Sequence, residues 1–313
     1  METQIYLFTG FLESGKTTLI KEVVKDPDFL EEGVTILLQC EEGENTYDDV
    51  FLKRYNMVKI VVGSPDELNK TLWEKCEKKY APAQIIIEYN GTWTMETLWK
   101  NEFPGDWEVG GIYSTVDAST AEMYLLNMRK LFMEQLKESN LIIFNRSTED
   151  TQRLKFRRNL KAMNPEVQVA FEKVDGTMYQ NQEEEMPFDY SGNKVEIPDM
   201  DYGLWYLDAM EHYERYMGKT ISFSARFCES TQEGEEYFIP GRHIMTCCED
   251  DIQFLGYLCK YKGKAKYNHG DWVKVTVLFD FGCLEDGNEP GPMLQLKEIA
   301  KGEKPEQELV FFT

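Results

Sequence analysis

The sequence contains no uninterrupted apolar stretch that approaches the length needed to cross a bilayer, so a membrane-inserted helix is not expected. Positive charge is scarce: 34 Lys and Arg stand against 56 Asp and Glu, a formal net charge of −22. Without a cationic surplus to displace counterions, docking on DNA, RNA or anionic lipid is not expected either. The start, Met1-Glu-Thr-Gln-Ile-Tyr-Leu-Phe-Thr, lacks a basic leader and a small-residue cleavage site, so no signal peptide is expected and a cytoplasmic location is. The seven cysteines include no Cys-x-x-Cys pair, and their odd number fits thiols or metal ligands better than disulfides. Repeats and low-complexity tracts are missing too. What remains suffices to fold: 42% hydrophobic and 13% aromatic residues exclude a disordered acidic tail, and 313 residues allow two domains of ordinary size.

The first half alternates short β-branched runs with amphipathic stretches. Strands are expected over Gln4–Thr9, Val34–Gln39, Val58–Val62, Ile85–Glu88, Ile112–Val116, Leu141–Asn145 and Val167–Phe171. Helices are expected between them, over Lys16–Lys25, Pro65–Tyr80, Ala118–Glu138 and Glu149–Met163. Several of the strands are apolar on both faces, which implies a mostly parallel sheet wrapped by helices. The pattern stops near Thr177, and residues 178–201 read as an acidic linker with turn signals. A helix-like stretch, Tyr202–Met217, precedes six short alternating segments: Thr220–Cys228, Tyr237–Ile239, His243–Cys248, Gln253–Tyr261, Trp272–Phe279 and Met293–Ile299. A small closed barrel packages so many short strands. The expected organisation is an α/β domain over 1–177, the linker, and a helix plus an all-β, OB-like barrel over 202–313.

The sharpest signal is Gly10-Phe-Leu-Glu-Ser-Gly15-Lys16-Thr17-Thr18, which fits G-x-x-x-x-G-K-[ST] without a gap. Such a loop curls its backbone N–H groups round phosphates, Lys16 supplies charge, and the Thr17 hydroxyl suits Mg²⁺. The motif follows a strand and opens a helix, the context its chemistry requires. Gly10, Glu13, Ser14, Gly15, Lys16, Thr17 and Thr18 are therefore the candidate nucleotide-binding residues. Glu13 sets a carboxylate beside a polyanion; it either meets an arginine during catalysis or points to solvent. Glu88 ends an apolar strand, where open α/β sheets place ligand groups, and can serve Mg²⁺ through water or orient the attacking water. Glu41 and Asp48 are further candidates for water or magnesium positioning, in an acidic loop that otherwise reads as a solvated face. Asp117 either senses the γ-phosphate or caps the following helix, the cap fitting Ser119 and Glu122 better.

The phosphate loop with its Leu19-Ile20 continuation resembles the start of the CobW-type GTPases, relatives of the nickel and urease metallochaperone GTPases. Cys40-Glu41-Glu42-Gly43-Glu44 with Asp48 resembles that family's switch segment, Ile85-Ile-Ile-Glu88-Tyr-Asn-Gly91 its strand ending in Glu-x-x-Gly, and Val116-Asp117-Ala118 its Val-Asp-Ala. Gln135, then Leu141-Ile-Ile-Phe-Asn145-Arg146, and Asn164-Pro165 follow in the family's order. The resemblance implies a P-loop nucleoside-triphosphatase that binds GTP with Mg²⁺, reads the base with Asn145 and Arg146, and uses Lys16, Glu88 and Glu41 in hydrolysis. It also implies metal handling, a metal-receiving partner protein and a homodimer. Two departures stand out. The acidic guanine reader is replaced by Thr148, so GTP over ATP is less firmly specified, and the family's Cys-x-Cys-Cys site has no counterpart in Lys59-Ile-Val-Val-Gly-Ser.

Five cysteines (Cys228, Cys247, Cys248, Cys259, Cys283) fall in the β half, with His243 near the pair. Thiolates there would select zinc or copper(I), and Cys247 and Cys248 are the candidate ligands. Neighbours on a strand point to opposite faces, however, and free cysteine is commonly buried, so structural thiols are the competing reading. Tyr216-Met-Gly218-Lys219, Ala225-Arg226-Phe227, Pro240-Gly-Arg242 and Met245-Thr-Cys247-Cys248 resemble the soluble C-terminal domain of YcgQ-type proteins, accessory subunits of a predicted permease. That resemblance implies a transport-linked partner. Tyr257, Tyr261 and Tyr267 suit a barrel core more than base stacking, and Lys260, Lys262, Lys264 and Lys266 a polar hairpin. The function expected is NTP binding and hydrolysis coupled to metal or partner handling. The alternative is a nucleotide-gated binding module with little or no turnover.

Overall fold

The computed structural model describes residues 3–100, 102–180, 186–229, 237–245, 252–261, 267–282 and 290–310. The chain divides into two compact units, one comprising Met1–Arg153 with Asn164–Asn181 and the other Leu154–Met163 with Gln182–Thr313.

The first unit is built on β1 (Thr3–Thr9), α1 (Lys16–Val23), β2 (Thr35–Gln39), α2 (Asp49–Arg54), β3 (Met57–Val61), α3 (Lys70–Tyr80), β4 (Gln84–Glu88), α4 (Met95–Trp99), β5 (Trp107–Asp117), α5 (Ala118–Asn127), α6 (Arg129–Leu136) and β6 (Leu141–Ser147). The helix α7 (Arg153–Met163) leads on to β7 (Gln168–Lys173). Its seven strands pair in the order β3-β2-β4-β1-β5-β6-β7, and every pairing is parallel. The strands β2 and β4 are buried at all five positions, as strands covered on both faces must be. Isoleucines and leucines therefore fill the sheet, and the polar residues collect where the strands end.

Local chemistry sets the helix limits. Asn69 Oδ1 accepts from the backbone N–H groups of Thr71 and Leu72 and opens α3 there, so the helix starts five residues inside the expected span. A short 3₁₀ turn, Pro65–Glu67, occupies its beginning instead. The single helix expected over Ala118–Glu138 is two, interrupted at Met128 (φ −135°, ψ 36°). Asp117 is a cap: its Oδ1 accepts from the Ser119 N–H at 2.9 Å and the Ser119 hydroxyl at 2.6 Å.

The second unit adds β8 (Lys194–Glu196), α8 (Tyr202–Glu211), β9 (Thr220–Glu229), β10 (Tyr237–Met245), β11 (Ile252–Gly256), β12 (Cys259–Lys260), β13 (Trp272–Gly282) and β14 (Gly291–Lys301). The strand order is β11-β10-β12-β14-β13-β9-β8, with β10 also paired to β9. All pairings are antiparallel except β12 with β14 and β8 with β9. The segments expected to be separate around Tyr237 and His243 form one strand. Inward residues of β9 and β13 alternate strictly, and Ile221, Phe223, Ala225, Phe227, Val273, Val275, Val277 and Phe279 pack with Trp205 of α8 in one core. Tyr257 is buried there, and Tyr261 and Tyr267 pack against it, the core role expected for them.

Candidate functional site

The strand ends bring the predicted residues to the carboxyl edge of the first sheet. Phe8 and Gln39 both lie opposite Glu88, and Asp117 lies opposite Asn145. Here β1 lies beside β5, and their chain connections leave in opposite directions, β1 toward β2 and β5 toward β6, which makes the kind of crevice in which open α/β sheets bind ligands. The phosphate loop leaves β1 at this point. Gly10 takes φ +126°, and a Cβ there would strike the Thr115 carbonyl oxygen. Gly91 permits a second close approach, because a Cβ on it would collide with the Gly10 carbonyl oxygen. The loop thus needs glycine at both places for two backbones to meet. Ser14 is fixed beneath the loop by a 2.8 Å hydrogen bond between its hydroxyl and that of Thr115.

A single cleft is lined by Glu13, Gly15, Lys16, Thr17, Thr18, Glu41, Glu88 and Arg146, together with Leu12, Gly43 and Asn45. Lys16 is only 3% exposed, and its ammonium donates to the carbonyls of Gly10 (2.6 Å) and Phe11 (2.9 Å) and pairs with the carboxylate of Glu41. Thr17 Oγ1 donates to Glu88 Oε1 at 2.5 Å, and the Tyr47 hydroxyl donates to Glu88 Oε2 at 3.0 Å. Burial pushes the Glu88 carboxyl above the usual carboxylate range, against these two hydrogen bonds and the Lys16 charge, which pull it down. Burial likewise raises Cys40, with Glu88 and Glu41 adding to it, so that thiol stays protonated.

Glu13 does not merely point to solvent: its Oε1 accepts from the Glu44 N–H at 2.8 Å, holding the acidic segment to the phosphate loop. Asn45 Nδ2 donates to Thr18 Oγ1 (3.1 Å), and Lys21 donates to Asn45 Oδ1 and to the Thr46 carbonyl. The acidic loop is thus stitched down along its length rather than solvated throughout. Asp48 stands apart from the cleft lining, and its Oδ1 caps α2 by accepting from the Phe51 N–H at 2.7 Å. On the other side, Asn145 Nδ2 donates to the Ser14 carbonyl at 2.6 Å. Arg146, in the left-handed region at φ +52°, reaches the Glu13 carbonyl (3.2 Å) and Asp117 Oδ2 (2.8 Å). Glu149 does not reach the cleft; it pairs with Arg153. Tyr47 and Asn45 carry no motif; only their places in the acidic loop between the cleft-lining Glu41 and α2 hint at them.

Cys247 and Cys248 lie outside the described residues, as do Lys262, Lys264 and Lys266. Among the described residues, no group of three or more His, Cys, Asp or Glu side chains could hold a metal ion. Cys40, Cys76, Cys228 and Cys259 are free thiols, and Cys259 sits in the second core. No helix of the described residues is long and apolar enough to cross a membrane.

Comparison with known proteins also divides the chain in two. The nucleotide-binding domain of the CobW/HypB/UreG family matches residues 4–171, and the DUF1980 C-terminal domain matches residues 173–312. No curated protein matches. Among solved structures, the hydrogenase maturation factor HypB of Archaeoglobus fulgidus is 12% identical over 56% of this chain and 84% of its own, with a TM-score of 0.38. A Zn(II)-bound triple mutant of the YjiA GTPase is 17% identical over 55% of this chain and 57% of its own, with a TM-score of 0.41. HypB from Helicobacter pylori, in complex with nickel, is 10% identical over 54% of this chain and 78% of its own, with a TM-score of 0.35. By its nucleotide-binding domain, which accounts for more than half of its residues, the chain belongs to the CobW/HypB/UreG family.

Proposed function

We propose that the protein binds a nucleoside triphosphate with Mg²⁺, GTP by preference, and hydrolyses it, and that the nucleotide state sets its hold on a metal ion or a metal-receiving partner. The observation that carries this reading is the convergence of Lys16, Thr17 and Glu88 in one cleft at the sheet's carboxyl edge. The amides at the start of α1 and the Lys16 ammonium hold phosphate oxygens. Thr17 donates its hydroxyl hydrogen bond to Glu88, which leaves the hydroxyl lone pairs for a hard cation, and two adjacent oxygen ligands suit Mg²⁺. Thr17 and Glu88 would hold Mg²⁺, which when bound would neutralise phosphate charge. Glu88, held away from the usual carboxylate range by burial, is placed to orient water and take up its proton. Asn145 and Arg146 flank the loop on the side where the base is read. Phosphate release from GTP and ATP, measured for the wild type and Lys16→Ala, tests the reading: Lys16-dependent release supports it, and its absence with both nucleotides sinks hydrolysis.

The metal half of the reading is supported by the crowding of five cysteines into the β half and assigns zinc or a similar ion to Cys247 and Cys248. Metal content of the wild type against Cys247→Ser and Cys248→Ser is its check; equal, empty proteins would remove its chemical basis. The circuit β9-β10-β12-β14-β13 with its parallel β12–β14 closure supports an OB-like barrel, the surface we assign to a transport-linked partner. A homodimer belongs to the same reading by resemblance. One observation favours the alternative of a binding module with little turnover: Glu41 already holds the Lys16 ammonium that a phosphate would need.

A further inference from the structure

Glu88 is 2% exposed, and each of its carboxylate oxygens has one hydrogen-bond donor on a different element. Thr17 of α1 holds Oε1, on the side lining the cleft. Tyr47, from the acidic segment, holds Oε2 and is not part of the cleft lining. A carboxylate fixed at one oxygen can still rotate about its last single bond, and a second donor on the other oxygen removes that freedom. The second donor here is delivered rigidly. The Tyr47 ring is 4% exposed and packs with Phe8, Ile20, Val24, Leu37, Met57 and Ile86, and Phe51 lies 6.0 Å from it, centroid to centroid.

The segment carrying Tyr47 is itself fastened to the nucleotide-binding elements. Glu41 pairs with Lys16, Glu13 accepts from the Glu44 N–H, and Asn45 is held by Thr18 and Lys21. We propose that Tyr47 is a positioning residue: its hydroxyl sets the plane of the Glu88 carboxylate and makes that plane depend on how the acidic segment lies. This deepens the hydrolase reading and rests on it for the role of Glu88. Movement of Glu41 away from Lys16 would be felt at Glu88 through the chain between residues 41 and 47. Tyr47 touches neither phosphate nor cation; it acts through Glu88.

Tyr47→Phe removes the hydroxyl and keeps the ring. The concentration of Mg²⁺ that half-saturates binding of a fluorescent GTP analogue should rise about tenfold, the worth of one buried hydrogen bond to a charged group. Binding of the same analogue without Mg²⁺ should stay within about twofold, since the phosphate loop is untouched. Turnover should show a lower kcat at unchanged KM. In a Glu88→Gln background the same substitution should do nothing further. Phe51→Leu, which loosens the ring's surroundings but keeps the hydroxyl, should leave the Mg²⁺ requirement alone, and Tyr47→Met carries the same expectation as Tyr47→Phe should the latter not fold. Equal weakening of binding with and without Mg²⁺, or an undiminished effect of Tyr47→Phe on top of Glu88→Gln, would overturn the proposal. If the wild type shows no Lys16-dependent turnover, the hydrolase reading fails while the Mg²⁺ series still decides the role of Tyr47.

Discussion

Lys16 has three N–H groups and uses each of them: two on loop carbonyls and one on Glu41. A phosphate oxygen must therefore displace a partner, and Glu41 is the one with the same sign of charge as the incoming group. Glu41 lines the same cleft, so its release from Lys16 frees the ammonium where the incoming group would bind. Glu41→Gln should tighten nucleotide binding by about tenfold, read as Kd by fluorescence titration, because the competing charge is removed. An unchanged or weaker affinity would place Glu41 among the groups that hold the nucleotide. A second expectation concerns the base. If Thr148 stands where the family's acidic guanine reader does, as the proposed reading has it, it offers one hydroxyl where two acceptor oxygens would be needed for the guanine N1–H and N2–H₂ edge. Thr148→Asp should raise the ratio of GTP to ATP affinity by about tenfold or more, the worth of a charged hydrogen bond. These residues were legible to different degrees. Gly10, Lys16 and Thr17 announce themselves by spacing, and Glu88 by ending an apolar run. Tyr47 does not, because a tyrosine in a polar loop looks the same whether its hydroxyl meets water or a buried carboxylate.

At the scale of the element, the alternation of apolar runs located every strand of the first sheet to within a few residues at its ends, save β5, which begins five residues early. Besides the late start of α3, the exceptions among the helices have local causes. The short helices α2 and α4 have too few residues for an apolar period to show, and the break at Met128 interrupts a pattern that continues on both sides of it. Asp48 illustrates the ambiguity of an acid in a loop, since a cap and a cation ligand have the same composition. Asp48→Ala should cost about 1 kcal/mol of stability in a denaturant titration, the usual worth of an N-cap. The helix α8 gives a pH expectation. Asp208 is held by Arg215 and Tyr216, both at 2.6 Å, yet burial outweighs them and raises its carboxyl. A raised folded value means that folding takes up a proton between the ordinary carboxylate range and that value. Stability should therefore fall as pH rises through this window, and the slope should vanish in Asp208→Asn, as followed by Tm against pH. A slope that persists in the variant would assign it to another group.

For the whole molecule, the charge of −22 carries a kinetic signature. A polyanion approaching a polyanion is slowed by the long-range field and accelerated by its screening, even where the local site is positive. Association of a nucleotide should quicken by a few-fold as ionic strength rises from about 10 to about 150 mM, measured by stopped flow, the opposite of a nucleic-acid binder. A rate that falls with salt would mean that the cleft's own amides and Lys16 dominate the field. The division of the chain has a different kind of consequence. Leu154–Met163 belongs to the second unit, while residues on both sides of it belong to the first. During synthesis this helical segment emerges before β7 and before the rest of its own unit, so it must wait for partners not yet made. A cut placed at the obvious acidic stretch after Thr177 would yield a second unit missing one of its helices. The two units are thus interleaved along the ribosome's clock, whereas the two family matches, residues 4–171 and 173–312, are unbroken, so Leu154–Met163 lies within the first match although it belongs to the second unit.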